Sequence, residues 1–282
     1  MAGITVLSEF ACFGGVQGFY QHDSKVVGAP MRFGVYRPPQ ASQGPVPVLI
    51  FLAGLACNEE IFPTKTGAQR YAAEHGMLLV SPDTSPRRTG LPGATGEWDV
   101  GEGASFYVDA IRAPWSQRFL MESWLTKELP ELLASNFPAQ SDRLGVFGHS
   151  MGGHGALTLA LRNPKCFRSV SALAPVCSAS RAPWGRKAFQ RYFGNDPEAA
   201  QSHDAVELVR AGARSAHMLV DVGTVDRFVD EQLMPGLLEQ ACADRGQPLT
   251  LRRQAGYDHS YFFVSSFMAD HVAHHAQASI GG

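Results

Sequence analysis

Leu144-Gly145-Val146-Phe147-Gly148-His149-Ser150-Met151-Gly152-Gly153-His154-Gly155-Ala156 passes from an apolar run, through a Gly-x-Ser-x-Gly element, into a segment that can continue as a helix. Leu144 to Phe147 suits a buried strand, and a helix over Ala156 to Leu161 is stopped by Pro164. Ser150 therefore falls on a strand-to-helix turn, the place where a nucleophilic serine would stand. So sharp a turn forces the serine into a strained backbone conformation, and Gly148 and Gly152 let strand and helix approach closely. An ordinary Gly-rich turn is the competing reading.

Outward from this turn, strand-length apolar runs recur at Ile4 to Val6, Met31 to Tyr36, Val46 to Leu52, Leu78 to Val80, Leu144 to Phe147, Val170 to Leu173, His217 to Val222 and Leu249 to Arg252. Segments of helical composition lie between most of them: Glu59 to His75, Pro114 to Asn136, Gly152 to Asn163, Phe228 to Arg245 and Ser260 to His275. Such alternation implies βαβ units and a mostly parallel sheet. The continuous runs Val48 to Leu52 and Met77 to Val80 are those of strands covered by helices on both faces. No helix separates the first two candidate strands, which predicts an antiparallel start. An α/β-hydrolase-like fold fits, with residues 178–204, rich in Arg, Trp, Phe and Pro, as a small cap near the site.

The 282 residues, 45% apolar, suffice for a large core, and one domain spanning 1–282 is the expected count. With 24 basic and 26 acidic residues and no basic run longer than Arg87-Arg88 or Arg252-Arg253, no nucleic-acid footprint is visible. Nor is there reason to expect membrane binding: no apolar stretch approaches the ~20 residues of a bilayer span, and Met1-Ala2-Gly3-Ile4-Thr5 does not resemble a secretion signal. A cytoplasmic protein is the expectation. Cys12, Cys57, Cys166, Cys177 and Cys242 are odd in number and widely spaced, which argues for free thiols over disulfides or a zinc cluster. No metal or organic cofactor is implied.

A serine hydroxyl needs a histidine to take its proton and a carboxylate to orient the imidazole and stabilise the imidazolium. In this fold the chain order is Ser, acid, His. His154 belongs to the serine's own helix, His203 and His217 precede the expected acid, and His271, His274 and His275 read as a polar helix face. His259, in the loop Ala255 to Ser260 between the last strand and the last helix, can be aimed across the sheet's carboxyl edge. For the acid, Asp226 lies in the loop beyond the strand His217 to Val222, with the competing role of a helix N-cap. Asp221, still within that strand, is the second choice, and Asp230 falls into the following helix. A tetrahedral oxyanion needs two N–H donors. One is the backbone N–H of Met151, and the second comes from the loop Leu52 to Asn58, with Leu55 the expected donor beside Gly54.

Several blocks carry a more specific resemblance: Gly54 to Glu59, Ser81 to Arg87, Phe106 to Ala110, Gly148 to Ala156, Pro183 to Phe189 and Gly256 to Tyr261. Through them almost the whole chain resembles the S-formylglutathione hydrolase family, also called esterase D. The resemblance implies Ser150, Asp226 and His259 as catalytic residues, with main-chain donors at Leu55 and Met151. It also implies hydrolysis of S-formylglutathione to glutathione and formate through a formyl-serine, in formaldehyde removal, with side activity on short-chain esters. A homodimer is what it suggests for assembly. The chain departs from the family pattern at Ala56 and Asn58, where threonines are usual, and at Glu102 and Ser105, where small residues are. Glutathione carries two carboxylates and one ammonium, for which Lys65, Arg87, Arg186 and Lys187 are candidate contacts against a reading as solvated surface charge. Trp98 and Trp184 are candidate pocket walls. At Cys57 the resemblance implies a thiol sensitive to thiol reagents, against a reading as a small buried hydrophobe. A general carboxylesterase or acyltransferase, and a non-catalytic binding module, are the alternatives.

Overall fold

The computed structural model describes residues 3–280, so Met1, Ala2, Gly281 and Gly282 of the expected 1–282 span lie outside the described residues. Among the described residues nine strands form one sheet in the order β1-β2-β3-β5-β4-β6-β7-β8-β9. They are β1 (Thr5–Cys12), β2 (Gly15–Asp23), β3 (Pro30–Arg37), β4 (Val46–Leu52), β5 (Leu78–Pro82), β6 (Ala139–His149), β7 (Phe167–Leu173), β8 (Met218–Gly223) and β9 (Leu249–Gln254). From β5 to β9 every neighbouring pair is parallel, whereas β1, β2 and β3 pair antiparallel and β3 joins β5 antiparallel. β2 was not expected, and it corrects the antiparallel start: β1 and β3 do not meet, because β2 lies between them. Its Gln17, Gly18, Gln21 and His22 interrupt the apolar pattern. Two of them are buried and bonded inside, Gln17 to Gln69 and His22 to the Trp124 indole.

The helices are α1 (Ile61–Lys65), α2 (Ala68–His75), α3 (Met121–Ser123), α4 (Leu129–Asn136), α5 (Met151–Arg162), α6 (Pro183–Tyr192), α7 (Pro197–Gln201), α8 (Ala205–Arg210), α9 (Pro235–Arg245), α10 (Tyr261–Ser266) and α11 (Met268–Ile280). Four expected helices are broken. Left-handed Gly67 separates α1 from α2, and a π-helical turn links α3 to α4. Left-handed Met234 before Pro235 sets off α9, and Phe267 leaves helical geometry between α10 and α11. None of the described helices is long and apolar enough to cross a membrane.

Side chains alternate between the faces of a strand. Phe147 of β6 meets His275 of α11, while the neighbouring Gly148 meets Gly152 of α5, so α11 and α5 cover opposite faces. This double cover explains the unbroken apolar runs of β4, β5 and β7, buried almost throughout. The expected polar face of the last helix is corrected here. His271 and His275 are fully buried against the sheet, where Ser171 sits between His271 Nδ1 (2.8 Å) and His275 Nε2 (2.9 Å), and Ser169 meets His275 Nδ1 (2.6 Å). Two strand positions two apart thus match two helix positions four apart, and the polar groups satisfy one another away from water.

Strand β6 and helix α5 meet at the tight turn. A Cβ on Gly152 would lie 1.9 Å from the Leu52 carbonyl oxygen, and one on Gly148 would lie 2.2 Å from the Gly152 oxygen, backbone contacts that cannot give way. Gly152→Ala is therefore expected to cost about 3 kcal/mol or more, a fall in melting temperature of roughly 6 °C or more for a chain of this size. A thermal melt of the variant that coincides with wild type would contradict the packing described.

Candidate active site

At the carboxyl edge of the sheet Ser150 takes φ 58°, ψ −118°, a left-handed conformation costly for a residue with a Cβ. The surroundings hold it there: its N–H donates to Leu173 O (3.0 Å), and its carbonyl accepts from His154 N (3.0 Å) and Val176 N (3.2 Å). The turn thereby projects Oγ off the end of the strand. His259 Nε2 lies 2.9 Å from this oxygen, and His259 Nδ1 lies 2.6 Å from Asp226 Oδ2. A carboxylate only accepts, so Nδ1 carries the proton toward Asp226 and Nε2 is left to accept from Ser150. Sequence reasoning selected these three residues on separate loops, and the fold brings them into one hydrogen-bonded line.

Backbone stitching fixes the two partners. The β8 and β9 loops are tied by Thr224 N to Gln254 O, Val225 N to Tyr257 O and Gly256 N to Thr224 Oγ1. Gly223 permits this closeness, since a Cβ there would fall 2.1 Å from Tyr257 O. Asp226 Oδ1 accepts from Phe228 N at 2.9 Å, a turn bond rather than the competing helix cap, since the helical turn Val229–Leu233 has Phe228 at its N-cap position and no side-chain capping bond. The ring of His259 rests between Phe228 (centroids 5.1 Å apart) and His149 (4.6 Å). Burial, and next the nearby His259, hold the His149 imidazole well below the usual histidine range, so it is a neutral neighbour. The sequence reading passed over His149, although it stands next to Ser150.

Asp221 belongs to a different network. Its side chain is fully buried on β8 and accepts from Arg252 (2.7 and 2.5 Å), Gln254 (3.0 Å) and His271 (3.0 Å). Burial raises its pKa, but the bonds from His271, Arg252 and Gln254 outweigh burial and bring it down to about 2. An unfolded aspartate titrates near 3.9. A carboxyl depressed in the folded state contributes stability that is complete above the unfolded pKa and is lost as pH falls through the folded one. Unfolding free energy from denaturant titrations is thus expected to fall between pH 4 and about pH 2, and to fall less steeply in Asp221→Asn. Equal slopes would remove Asp221 as the cause.

The loop after β4 supplies the second expected donor. Ala56 N donates to Gly103 O (2.9 Å) and Cys57 N to Gly54 O (3.3 Å), while the N–H of Leu55, which precedes them, bonds to no group among the described residues. Met151 opens α5, where helix N–H groups lack intrahelical acceptors. A Cβ on Gly54 would stand 3.3 Å from Ser150 Cβ, so the loop runs directly past the serine. Buried Tyr107 holds its root, donating to Ala53 O at 2.8 Å. Phe106 and Tyr107 both take positive φ (52° and 56°), a kink that no local sequence signal announces. Glu102 accepts from Arg88 N, Thr89 N and Thr89 Oγ1, and Ser105 donates to Thr84 O, so the two departures brace the long loop after β5.

The remaining candidates flank this centre on two sides. Trp98, 57% exposed, meets Trp184 edge-on (5.7 Å), Trp184 meets Phe228 (4.8 Å), and Phe228 meets His259, giving an aromatic path from the surface to the imidazole. Glu97 and Asp99 beside Trp98 pair with Lys187, and Glu97 also with Arg191 on α6, so Lys187 is an ion-paired strap rather than a solvated charge. The segment 178–204 is pinned at its ends by Asp204, which accepts from Ser178 Oγ, Ser180 N and Ser180 Oγ. On the other side Lys65 lies over the Tyr261 ring (5.3 Å), whose hydroxyl is 3.8 Å from Cys57 Sγ. Burial pushes the Cys57 thiol up, which leaves little thiolate at neutral pH. Arg87 is committed to Asp83, Thr84 Oγ1 and Cys57 O, whereas Arg186 is exposed on α6.

Known proteins agree with this architecture. Residues 24–274 match the model of the esterase family described as "Putative esterase". An S-formylglutathione hydrolase of Paracoccus denitrificans (strain Pd 1222) is 51% identical over 272 residues, covering 96% of each chain. That of Mus musculus is 46% identical over 273 residues, covering 96% of this chain and 97% of the relative. The solved S-formylglutathione hydrolase of Agrobacterium tumefaciens superposes with a TM-score of 0.95 at 43% identity, covering 97% of this chain and 99% of its own. The nine-stranded sheet is thus an α/β-hydrolase fold, and the chain, a hydrolase, belongs to the S-formylglutathione hydrolase family.

Proposed function

We propose that this enzyme hydrolyses S-formylglutathione to glutathione and formate with Ser150 as nucleophile, His259 as base and then acid, and Asp226 as the orienting carboxylate. The hydrogen-bonded line from Asp226 through His259 to Ser150 Oγ, at 2.6 and 2.9 Å, carries the reading. Ser150 Oγ attacks the formyl carbon while its proton passes to His259 Nε2. The oxyanion is received by the N–H groups of Leu55 and Met151, each worth about 3 kcal/mol of barrier. Collapse breaks the C–S bond, and His259 passes its proton to the departing sulfur, which needs less help from an acid than an alkoxide or amine would, so that glutathione leaves as the thiol and His259 is neutral again. Water then gives a proton to His259 and its hydroxide to the formyl-serine, and formate departs as Ser150 recovers its proton. No step calls for a metal or an organic cofactor.

The reading extends to one catalytic domain with 178–204 as its cap, to side activity on short-chain esters, and to formaldehyde detoxification in the cytoplasm. Five free cysteines support a reducing compartment. The edge strand β1, with Val6 and Phe10 each 57% exposed, supports a homodimer. Steady-state hydrolysis of S-formylglutathione beside p-nitrophenyl acetate tests the substrate. A kcat/KM for the thioester at least a hundredfold above that for the ester is expected, and comparable values would favour a general carboxylesterase.

A further inference from the structure

Beside the proposed oxyanion loop, away from the aromatic path, a recess of about 650 Å³ opens on the same edge of the sheet. Its lining includes Asn58, Arg32, Glu59, Asp83, Arg87 and Arg88. The three guanidinium groups are not equivalent. Arg87 is used up by Asp83 and the Cys57 carbonyl. Arg32, 45% exposed, has only a long contact to Gln21 (3.4 Å) and stands 4.0 Å from the Glu59 carboxylate. The Arg88 guanidinium bonds to no group among the described residues, although its backbone is fixed by Glu102. Glu59 is buried at 3% exposure, with Arg32 as the cation beside it. A buried carboxylate next to two underused guanidinium groups matches the ammonium and carboxylate of an α-amino acid head.

We infer that this recess holds the γ-glutamyl end of the glutathione thioester, its carboxylate on Arg32 and Arg88 and its ammonium on Glu59. The inference rests on the substrate reading above. The reach fits: β3, which carries Arg32, lies three strand spacings from β6, which leads to Ser150, about 14 Å. From the cysteinyl sulfur to the γ-glutamyl α-carbon the arm runs through seven bonds, roughly 9 Å when extended, and the Arg32 side chain covers the remainder. Burial, and next Asp83, push the Glu59 carboxyl up, so a bound ammonium would relieve an unfavourable charge. With the cysteinyl sulfur at Ser150, the glycine end would then face solvent.

The experiment compares S-formylglutathione with S-formyl-N-acetyl-cysteinylglycine, which lacks the γ-glutamyl head and has no free amine to take the formyl group, in wild type, Arg32→Gln and Arg88→Ala, with p-nitrophenyl acetate as a third substrate. The ratio of kcat/KM between the two thioesters corrects each variant for any loss of folded enzyme. Wild type is expected to favour S-formylglutathione at least tenfold, and each variant to bring that ratio down severalfold toward one. A ratio unchanged in both variants overturns the recess, as does a wild-type ratio near one. If wild type instead favours p-nitrophenyl acetate over both thioesters, the substrate reading itself falls and the recess with it; an intact thioester preference with an unchanged ratio removes the recess alone.

Discussion

Ser150→Ala is expected to lower kcat/KM for S-formylglutathione by about 10⁴- to 10⁶-fold, the largest effect of any single change in the chain. The variant keeps the turn, whose strain is held by backbone bonds to Leu173, His154 and Val176 rather than by the hydroxyl. It loses the only oxygen among the described residues to which His259 Nε2 is bonded. What survives is the pair of N–H groups at Leu55 and Met151 together with substrate binding, which leaves a modest advantage over water. KM should move far less than kcat, because the hydroxyl acts mainly in the transition state. Reaction with a fluorophosphonate probe should disappear in parallel. Hydrolysis or labelling that persists at more than a hundredth of wild type would sink the serine mechanism.

Asp226→Asn should cost about 10³- to 10⁴-fold in kcat while leaving the fold intact. Its side chain is fully buried, with one oxygen on His259 Nδ1 and the other accepting from Phe228 N. An amide can keep the Phe228 bond through its oxygen, but its NH₂ then faces Nδ1 and stabilises the tautomer with the proton on Nε2. That tautomer cannot accept from Ser150. Asp221→Asn is the matched control, since it disturbs the bonds to Arg252 and His271 on the same strand yet makes none to His259. A loss of activity in Asp221→Asn that equals the loss in Asp226→Asn would mean that strand β8, not the carboxylate, is at fault.

The residues of the site could be read because each sits where a strand ends, and strand ends are visible when strands are unbroken apolar runs. The runs in β4 to β8 marked the edge, and chain order then selected Asp226 and His259. Features that depend on distant partners stayed hidden. Strand β2 carries polar side chains whose acceptors and donors lie far along the chain, such as Gln69, 52 residues from Gln17, and Trp124, 102 residues from His22. His271 and His275 looked like a solvated face because their serine and aspartate partners lie at least 50 residues away. Ser169 and Ser171, two apart in a strand that is buried but for Arg168, match two histidines four apart on a helix, and that spacing is the signal the sequence carries. The brace of Tyr107 on Ala53 spans 54 residues and follows a backbone kink with no glycine or proline at its centre, which no local pattern encodes.

The hydrogen bond between Ser150 and His259 joins residues 109 apart in sequence, and the one between His259 and Asp226 joins residues 33 apart within that span. Contacts so non-local are entropically expensive to form early, and they become favourable only after the strands that carry them have docked. During refolding, then, catalysis should return with the last cooperative step, after helical circular dichroism has recovered. Turnover in this protein is a clock for completion of the β6 to β9 half of the sheet, and a collapsed intermediate with native-like helices would be silent.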